Sequence, residues 1–418
     1  MRVVIAGSGF GGLFAARHLQ RLLPRSVPAE ITLLNEENFF LFTPMLTEVV
    51  SGEVEAQHIV TPIRSFLRDP RLRFHQASVT HVDFENKVVT AICEKAHCLV
   101  LEYDYLVLAV GTKTIVPSVP AEEPWLFPLQ NLTDAMRLHN QVLDMFEHAD
   151  MLDRRDVDRR RMLTFVVAGG GFAGVETATA IESIVFGTLL PQYPSIGPGD
   201  VRLVLAHGGS RILPELGDEL AAYAERLMSD RNIELRLGSS VSLPEEHLAR
   251  IDDENIPCAT VVWTAGARAA ELAGELSVPK NSKGRIVVDE RGLVQGHDNV
   301  FALGDCAAHP DPKGRPYPPT AQIAIRQARA VAGNILASGS RAPLHVFAYE
   351  MQGMVVPLGR RSAAAVLKGL RFRGLFAWWL SRSLYILRVP SWSNRIRIVL
   401  DWTLDLVFPR PTNRIAIR

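Results

Sequence analysis

Gly7, Gly9 and Gly12 stand in G-x-G-x-x-G spacing within RVVIAGSGFGGLFAARHLQRLL, and Gly169, Gly171 and Gly174 repeat it within TFVVAGGGFAGVETATAIESI. The first glycine permits a tight turn, the second lets backbone approach a pyrophosphate, and the third lets helix pack close on strand. The helix N-terminus is then aimed at the phosphates. One such run is a weak signal, because glycine turns are common between strands and helices. Two copies, each behind a β-branched run and ahead of a helical pattern, predict two dinucleotide pockets.

These loops need sheets to hold them, and further fragments supply the strands. YDYLVLAVGT ends at the turn around Gly111, VVWTAGA at Gly266, and DNVFALGDCAA at Gly304 and Asp305, where an acid is placed to hydrogen-bond a ribityl hydroxyl of a flavin. The order of these pieces predicts an α/β chain with two Rossmann-like dinucleotide-binding domains, the second inserted in the first. The expected boundaries are 1–120 and 286–345 for the split first domain and 163–285 for the second. A charged helical linker with a solvated face fills 121–162, and a C-terminal amphipathic region fills 346–418.

The formal net charge of the 418 residues is zero, but it is segregated: from Arg360 onward twelve Lys/Arg face only Asp401 and Asp405. The tail therefore meets a different partner from the body. Residues 374–389 and 394–408 read as two helices with Leu, Ile, Phe and Trp on a broad face and Arg on the rest, and Trp378, Trp379, Trp392 and Trp402 are four of the six tryptophans. Tryptophan favours the headgroup level and arginine reaches lipid phosphates, so the pair is expected to lie in the plane of an anionic membrane surface. A homodimer interface is the competing use of the same faces. No run of about 18 uninterrupted apolar residues predicts a spanning helix. No secretory signal is read at the N-terminus, and nothing in the chain calls for nucleic acid. Four cysteines suggest a reducing compartment, no disulfide framework and no metal. Cys93 and Cys98 are read as ordinary small buried residues.

Longer segments carry a resemblance: FFLFTPMLTEVVSGEVEAQHIVTPIR (39–64), AGGGFAGVETA (168–178), ALGDCA (302–307), PPTAQIAIRQA (318–328) and the aromatic, basic tail. Together they resemble the two-dinucleotide-binding flavoproteins and, among them, the type II NADH dehydrogenases, single-subunit quinone reductases. The resemblance implies an FAD-dependent NAD(P)H:quinone oxidoreductase that moves no protons across the membrane and sits peripherally on the cytoplasmic face of the cell membrane. It implies FAD on Gly7, Gly9 and Gly12, with Asn35 or Glu36 on the adenosine ribose, Thr43, Pro44 and Ala321 near the ring, and Asp305 on the ribityl chain. NAD(P)H would lie on Gly169, Gly171 and Gly174. Glu176 would face nicotinamide and flavin, either as a proton relay or simply as an acid favoured by the helix start.

Two departures from the family pattern matter. In TAQIAIRQ the usual second glutamine, four residues after Gln322, is Arg326. Gln322 is expected at the quinone headgroup; Arg326 either serves that site or turns outward to a surface acid. After strand VRLVLAHGGSR, the carboxylate that would accept from the NADH 2′-hydroxyl is replaced by His207, with Arg211 four residues on, and this pair tolerates a 2′-phosphate. Sulfide:quinone reductase chemistry needs sulfur-carrying cysteines, yet none lies between 99 and 257 or after Cys306. A non-catalytic redox sensor binding both nucleotides is the rival of a different class.

Overall fold

In the computed structural model, residues 1–93, 97–119 and 125–414 are described. Contacts divide the chain into two units. The first comprises Met1–Phe40, Thr61–Lys113 and Ala267–Glu350; the second comprises Leu41–Val60, Thr114–Gly266 and Met351–Arg418.

Each unit is built on one plan. In the first, five parallel strands run in the order Val300–Ala302, Tyr105–Leu108, Arg2–Ala6, Glu30–Asn35, Leu72–Gln76. In the second, the order is Leu126–Pro128, Thr260–Trp263, Thr164–Ala168, Arg202–His207, Ile233–Leu237. The glycine-motif strand is central both times. Val3–Ala6 and Thr164–Ala168 are buried throughout, as expected of parallel strands covered on both faces. Between its edge strand and the next strand of the same sheet in chain order, each unit carries a three-stranded antiparallel meander, Ser78–Asp83, Val88–Ile92 and Cys98–Glu102 in one, Val241–Glu245, Leu248–Ile251 and Glu254–Pro257 in the other. Cys98 lies on that meander and is exposed and Cys93 is half-buried, contrary to the reading of both as buried; only Cys258 and Cys306 are buried. Hairpin strands alternate their side chains between faces, which puts Cys98 on the wet one.

The division differs from the sequence expectation. Residues 41–60 and Thr114 onward group with the second unit, and Ala267–Arg285 with the first. The predicted boundary at 120/121 lies outside the described residues. The charged linker is more than a solvated face: Leu132–Asp150 is a helix with a capping box between Asn131 and Asp134, and it buries Leu138, Val142, Leu143 and Phe146. The C-terminal region is not helical throughout either. It opens as a three-stranded antiparallel sheet (Gly353–Pro357, Ala363–Leu367, Leu370–Arg373) before the helices Gly374–Arg388 and Trp392–Asp405. The helix through Phe172–Gln192 is long and apolar enough to cross a membrane by length and composition, but most of its apolar window is buried inside the protein.

Candidate functional site

The first glycine loop is shaped by close approach. Gly7 is left-handed (φ +95°), and a Cβ there would lie 2.4 Å from the Ala109 carbonyl oxygen; a Cβ on Gly12 would lie 1.8 Å from the Gly7 oxygen. Gly9 precedes the helix Phe10–Leu22 without a side-chain cap and has no atom within 4 Å of where a Cβ would project. This helix start is therefore uncapped by any side chain and open beside Gly9, the environment a pyrophosphate requires. The second loop repeats this. A Cβ on Gly174 would lie 1.8 Å from the Gly169 oxygen, Gly169 has φ +122°, and Gly171 opens the helix Phe172–Ile184 uncapped and unobstructed.

Around the first loop, the sequence candidates take different tasks. Asn35 accepts from the Ser8 N–H at 2.9 Å and donates to the Glu37 carbonyl at 2.9 Å, so it braces the loop. Glu36 is exposed at the end of the same strand, with one oxygen taken by Ser78. Of the two ribose candidates it is the one with an oxygen to spare. Gly304 is left-handed (φ +71°) and donates its N–H to the Gln327 side-chain oxygen at 2.8 Å. Asp305 is half-buried, and desolvation raises its carboxyl against the attraction of Arg285. Gly111 is left-handed (φ +70°) with open space beyond it. A helix start open beside Gly9, a carboxylate at a strand end and an acid beside an arginine fit FAD.

In the second unit His207 does not reach outward. A Cβ on Gly170 would lie 2.6 Å from His207 Cγ and one on Gly209 2.7 Å from His207 Nε2, so the imidazole is packed against the glycine loop. Arg211 donates from Nη1 to the Asp218 carbonyl at 2.9 Å and lies 3.7 Å from the Asp218 carboxylate. Its guanidinium is tied to the start of the next helix. Gly266 is left-handed (φ +75°) and exposed at the end of its strand, beside Ile115.

In the first unit Ala321 is half-buried and begins the helix Ala321–Gly339, whose cap Thr320 accepts from the Ile323 N–H at 3.3 Å. Gln322 donates its side-chain amide to the Tyr349 hydroxyl at 2.9 Å. Arg326 sits over the Tyr349 ring, 4.1 Å from its centroid, and donates to the Gln322 carbonyl at 3.3 Å. It forms no ion pair with an acid among the described residues. Gln322, Arg326 and Tyr349 form one polar-aromatic cluster. Gln327, one residue on, does not stand in for the missing glutamine, because its side chain is buried against Gly304.

Glu176 belongs to a second cluster, within the second unit. It borders a cavity of about 30 Å³, room for a water or two, together with Thr47, Glu48, Ser51 and Thr179. Glu48 is buried and accepts from the Trp402 indole N–H at 2.6 Å. Desolvation pushes the Glu176 carboxyl up to about 8, helped by the charge of Glu48. Desolvation raises Glu48 as well, opposed by Arg382. Tyr385 is raised by burial and by both carboxylates, and its ring stands edge-on to Phe42 with centroids 6.2 Å apart. Burial thus holds both carboxyls above the usual carboxylate range. Thr43, exposed, and Pro44, half-buried, begin the short turn that leads into the helix carrying Glu48.

Sequence reasoning missed Glu48, Trp402, Tyr385, Tyr349 and Gln327. A lone acid inside FFLFTPMLTEVV was the available signal for Glu48, since an isolated charge in an apolar run must find a partner when buried. Nothing local marks Tyr349, and the local pattern marks Trp402 only as an interface tryptophan.

Residues 1–328 match the pyridine nucleotide-disulphide oxidoreductase family. A type II NADH:quinone oxidoreductase of Mycobacterium tuberculosis is 30% identical over 97% of this chain and 87% of its own. The demethylphylloquinone reductase of Synechocystis sp. is 30% identical over 96% of this chain and 95% of its own. Among solved structures, NDH2 of Plasmodium falciparum in complex with NADH superposes with TM-score 0.90 over 99% of both chains at 19% identity, a likeness of fold. The sulfide:quinone oxidoreductase of Aquifex aeolicus shares the fold less closely, with TM-score 0.73 at 18% identity over 98% of this chain and 95% of its own. The chain thus belongs to the pyridine nucleotide-disulphide oxidoreductases and, within them, to the type II NADH:quinone oxidoreductases, FAD-dependent NAD(P)H dehydrogenases that reduce quinone.

Proposed function

We propose that this chain takes a hydride from NAD(P)H bound on the Gly169–Gly174 loop and reduces a membrane quinone at the Gln322–Tyr349–Arg326 cluster. FAD on the Gly7–Gly12 loop supplies the two-electron chemistry when bound. The duplicated glycine cradle, uncapped and open at Gly9 and Gly171, carries this reading. The remaining steps belong to side chains. Gln322 and the Tyr349 hydroxyl offer hydrogen bonds to a quinone carbonyl, and the Arg326 guanidinium favours negative charge developing on it. Glu176 and Glu48, both held high by burial, keep protons available near neutral pH. Asp305 orients the ribityl chain and Glu36 the ribose.

The tail meets the lipid that holds the quinone. Leu375, Phe376, Trp379, Leu387, Trp392 and Leu400 are exposed large apolar side chains on the two helices, the pattern of an element lying in a bilayer interface. Only Trp379 and Trp392 of the four tryptophans serve that face; Trp378 and Trp402 turn inward. Deleting the tail would strip Glu48 and Glu53 of their buried partners, so the test uses outward positions instead. A Phe376→Asp, Trp379→Asp, Leu400→Asp variant should keep its yellow colour and its NADH to ferricyanide activity, yet lose sedimentation with liposomes and turnover with a long-tailed quinone. A variant that still sediments, or one that runs as a broken dimer and keeps its liposome binding, assigns the face to a second copy. A protein that bleaches with NADH and does not recolour with any quinone is a sensor instead.

A further inference from the structure

The tail helices leave a cavity that the redox chemistry does not use. It measures about 210 Å³ and is lined by Arg360, Arg361, Arg382 and Arg410 against Glu53 and Asp405, with Trp378 and Leu406 completing the wall. Four guanidinium groups against two carboxylates leave the lining with an excess of positive charge.

The arginines are held in place by different means. Arg382 is one-tenth exposed, its guanidinium 4.2 Å from the Trp378 ring centre and 4.4 Å from that of Trp402, and it donates to Glu53 at 3.0 Å. Arg410 is spent on Glu53 at 3.0 Å, on Ser183 at 2.9 Å and on Asp405 at 2.5 Å. Arg360 reaches down to the buried Glu182 at 3.0 Å. Arg361 is exposed and has no hydrogen bond or ion pair among the described residues.

The loop that presents Arg360 and Arg361 is unusual. Gly359, Arg360 and Arg361 are left-handed in succession, with φ of +65°, +33° and +59°. Two arginines occupy a region that residues with a Cβ rarely enter, and such strain persists where surrounding contacts impose it. Those contacts are present: Arg231 donates to the Leu358 carbonyl at 2.6 Å and to the Ser362 hydroxyl at 3.1 Å, pinning both ends of the turn. The chain thus holds an unpartnered guanidinium, on a strained and braced turn, beside a cavity with an excess of positive charge.

We propose that this cavity binds the phosphodiester headgroup of an anionic phospholipid, with Arg361 and the free edges of Arg360 and Arg382 on the phosphate. A guanidinium fork suits phosphate oxygens. Lipid rather than free phosphate fits because Leu406 on the cavity wall continues into Val407 and Phe408, both exposed, which offer apolar surface to acyl chains. A positively charged lining excludes choline. The assignment rests on the tail meeting a bilayer, and the experiment separates the two ideas.

The full-length holoenzyme is titrated with dihexanoyl-phosphatidylglycerol below its micelle concentration, read by calorimetry and by the fluorescence of Trp378, which lines the cavity. Saturable binding with one site is expected, weakened about fivefold by Arg361→Gln, the contribution of roughly one basic side chain at an anionic surface, and abolished by Arg361→Glu. Replacing Arg361 breaks no contact, so folding is preserved. Equal binding of dihexanoyl-phosphatidylcholine, equal binding of inorganic phosphate, or an unchanged affinity in both variants overturns the assignment. In the vesicle arm, Arg361→Glu should lose only the extra binding that phosphatidylglycerol adds to phosphatidylcholine vesicles. Short-chain lipid binding without adsorption to any vesicle supports the cavity site and sinks the bilayer reading alone.

Discussion

The two glycine loops have the same backbone and different neighbours. In both, the third glycine lies so close to the first that a Cβ would stand 1.8 Å from a carbonyl oxygen. At the adjoining strand ends they part: Asn35 braces the first loop through the Ser8 N–H while Glu36 beside it keeps an oxygen beyond its bond from Ser78, whereas His207 lies on the second loop and leaves no carboxylate. Phosphate binding is a backbone matter and is copied. Selection among dinucleotides belongs to the side chain where the next strand ends, and there the copies are free to differ.

The largest effects should come from closing each cradle in turn. Gly12→Ala forces a methyl into the Gly7 carbonyl, beyond the ~1–3 kcal/mol of ordinary overpacking, and should yield colourless protein by absorbance at 450 nm. Gly174→Ala applies the same clash to the other loop and should leave the protein yellow while slowing its bleaching by NADH about a hundredfold or more in stopped flow. If Gly174→Ala also loses flavin, the two loops do not act separately and the comparison breaks.

A smaller effect is expected at the Gln322–Arg326–Tyr349 cluster proposed for quinone. Arg326→Gln restores the residue usual in the family but removes the charge over Tyr349. Turnover with quinone should fall about tenfold, ~1.4 kcal/mol, within reach of a desolvated cation–π contact. The rate of flavin reduction by NADH should not change. A fall in both half-reactions would move the action of Arg326 from quinone to flavin.

His207→Glu sharpens the comparison by giving the second strand end the carboxylate that the first has in Glu36. The ratio of kcat/KM for NADH over NADPH should rise about tenfold, ~1.4 kcal/mol, because the new group accepts from the 2′-hydroxyl and repels a 2′-phosphate. An unchanged ratio would show that the side chain at 207 stays on the loop, as the imidazole does.

The smallest predicted change is in stability. Because Glu176 is raised in the folded protein to about 8, the folded state holds a proton that the unfolded state has released between pH 4.5 and that value. The contribution is therefore complete below about pH 4.5 and is lost as pH rises through about 8. Glu176→Gln should leave the Tm unchanged at pH 5 and raise it at pH 8.5 by roughly 2–4 °C, what ~1 kcal/mol does in a domain of this size. Equal Tm differences at the two pH values would place the Glu176 carboxyl in water.

How much of this was legible in the chain depends on distance along it. The glycine loops, their strands and the tail helices follow from periodicity and spacing within about twenty residues, and there sequence and structure agree closely. The second tail helix begins at Trp392 rather than 394, where Ser391 accepts from the Asn394 N–H. Tertiary partnership was not legible. Trp378 and Trp402 read as interface residues because tryptophan and arginine share a helix, yet they clasp Arg382 internally. Arg211 is expected to tolerate a 2′-phosphate, and nothing in its neighbourhood along the chain shows that it donates to the Asp218 carbonyl. Segment 41–60 looked like part of the first domain because it follows that domain's second strand, while its partners, Trp402 at Glu48 and Asp401 at His58, come from the end of the chain. No local pattern encodes those pairings.

The nesting of the first sheet also has a consequence in time. Strand Tyr105–Leu108 lies between Arg2–Ala6 and Val300–Ala302, and beside it Asn299 donates to the Asp104 carbonyl from 195 residues further along. At roughly 5–20 residues per second, a ribosome takes about 10–40 s to supply that last strand. Throughout that interval one edge of a hydrophobic parallel sheet is open to any other strand in the cell, and Asp305 has not yet arrived. Flavin capture therefore comes late in synthesis, after the whole second glycine loop has been made, and an unpaired sheet edge is the species that chaperones must cover until then.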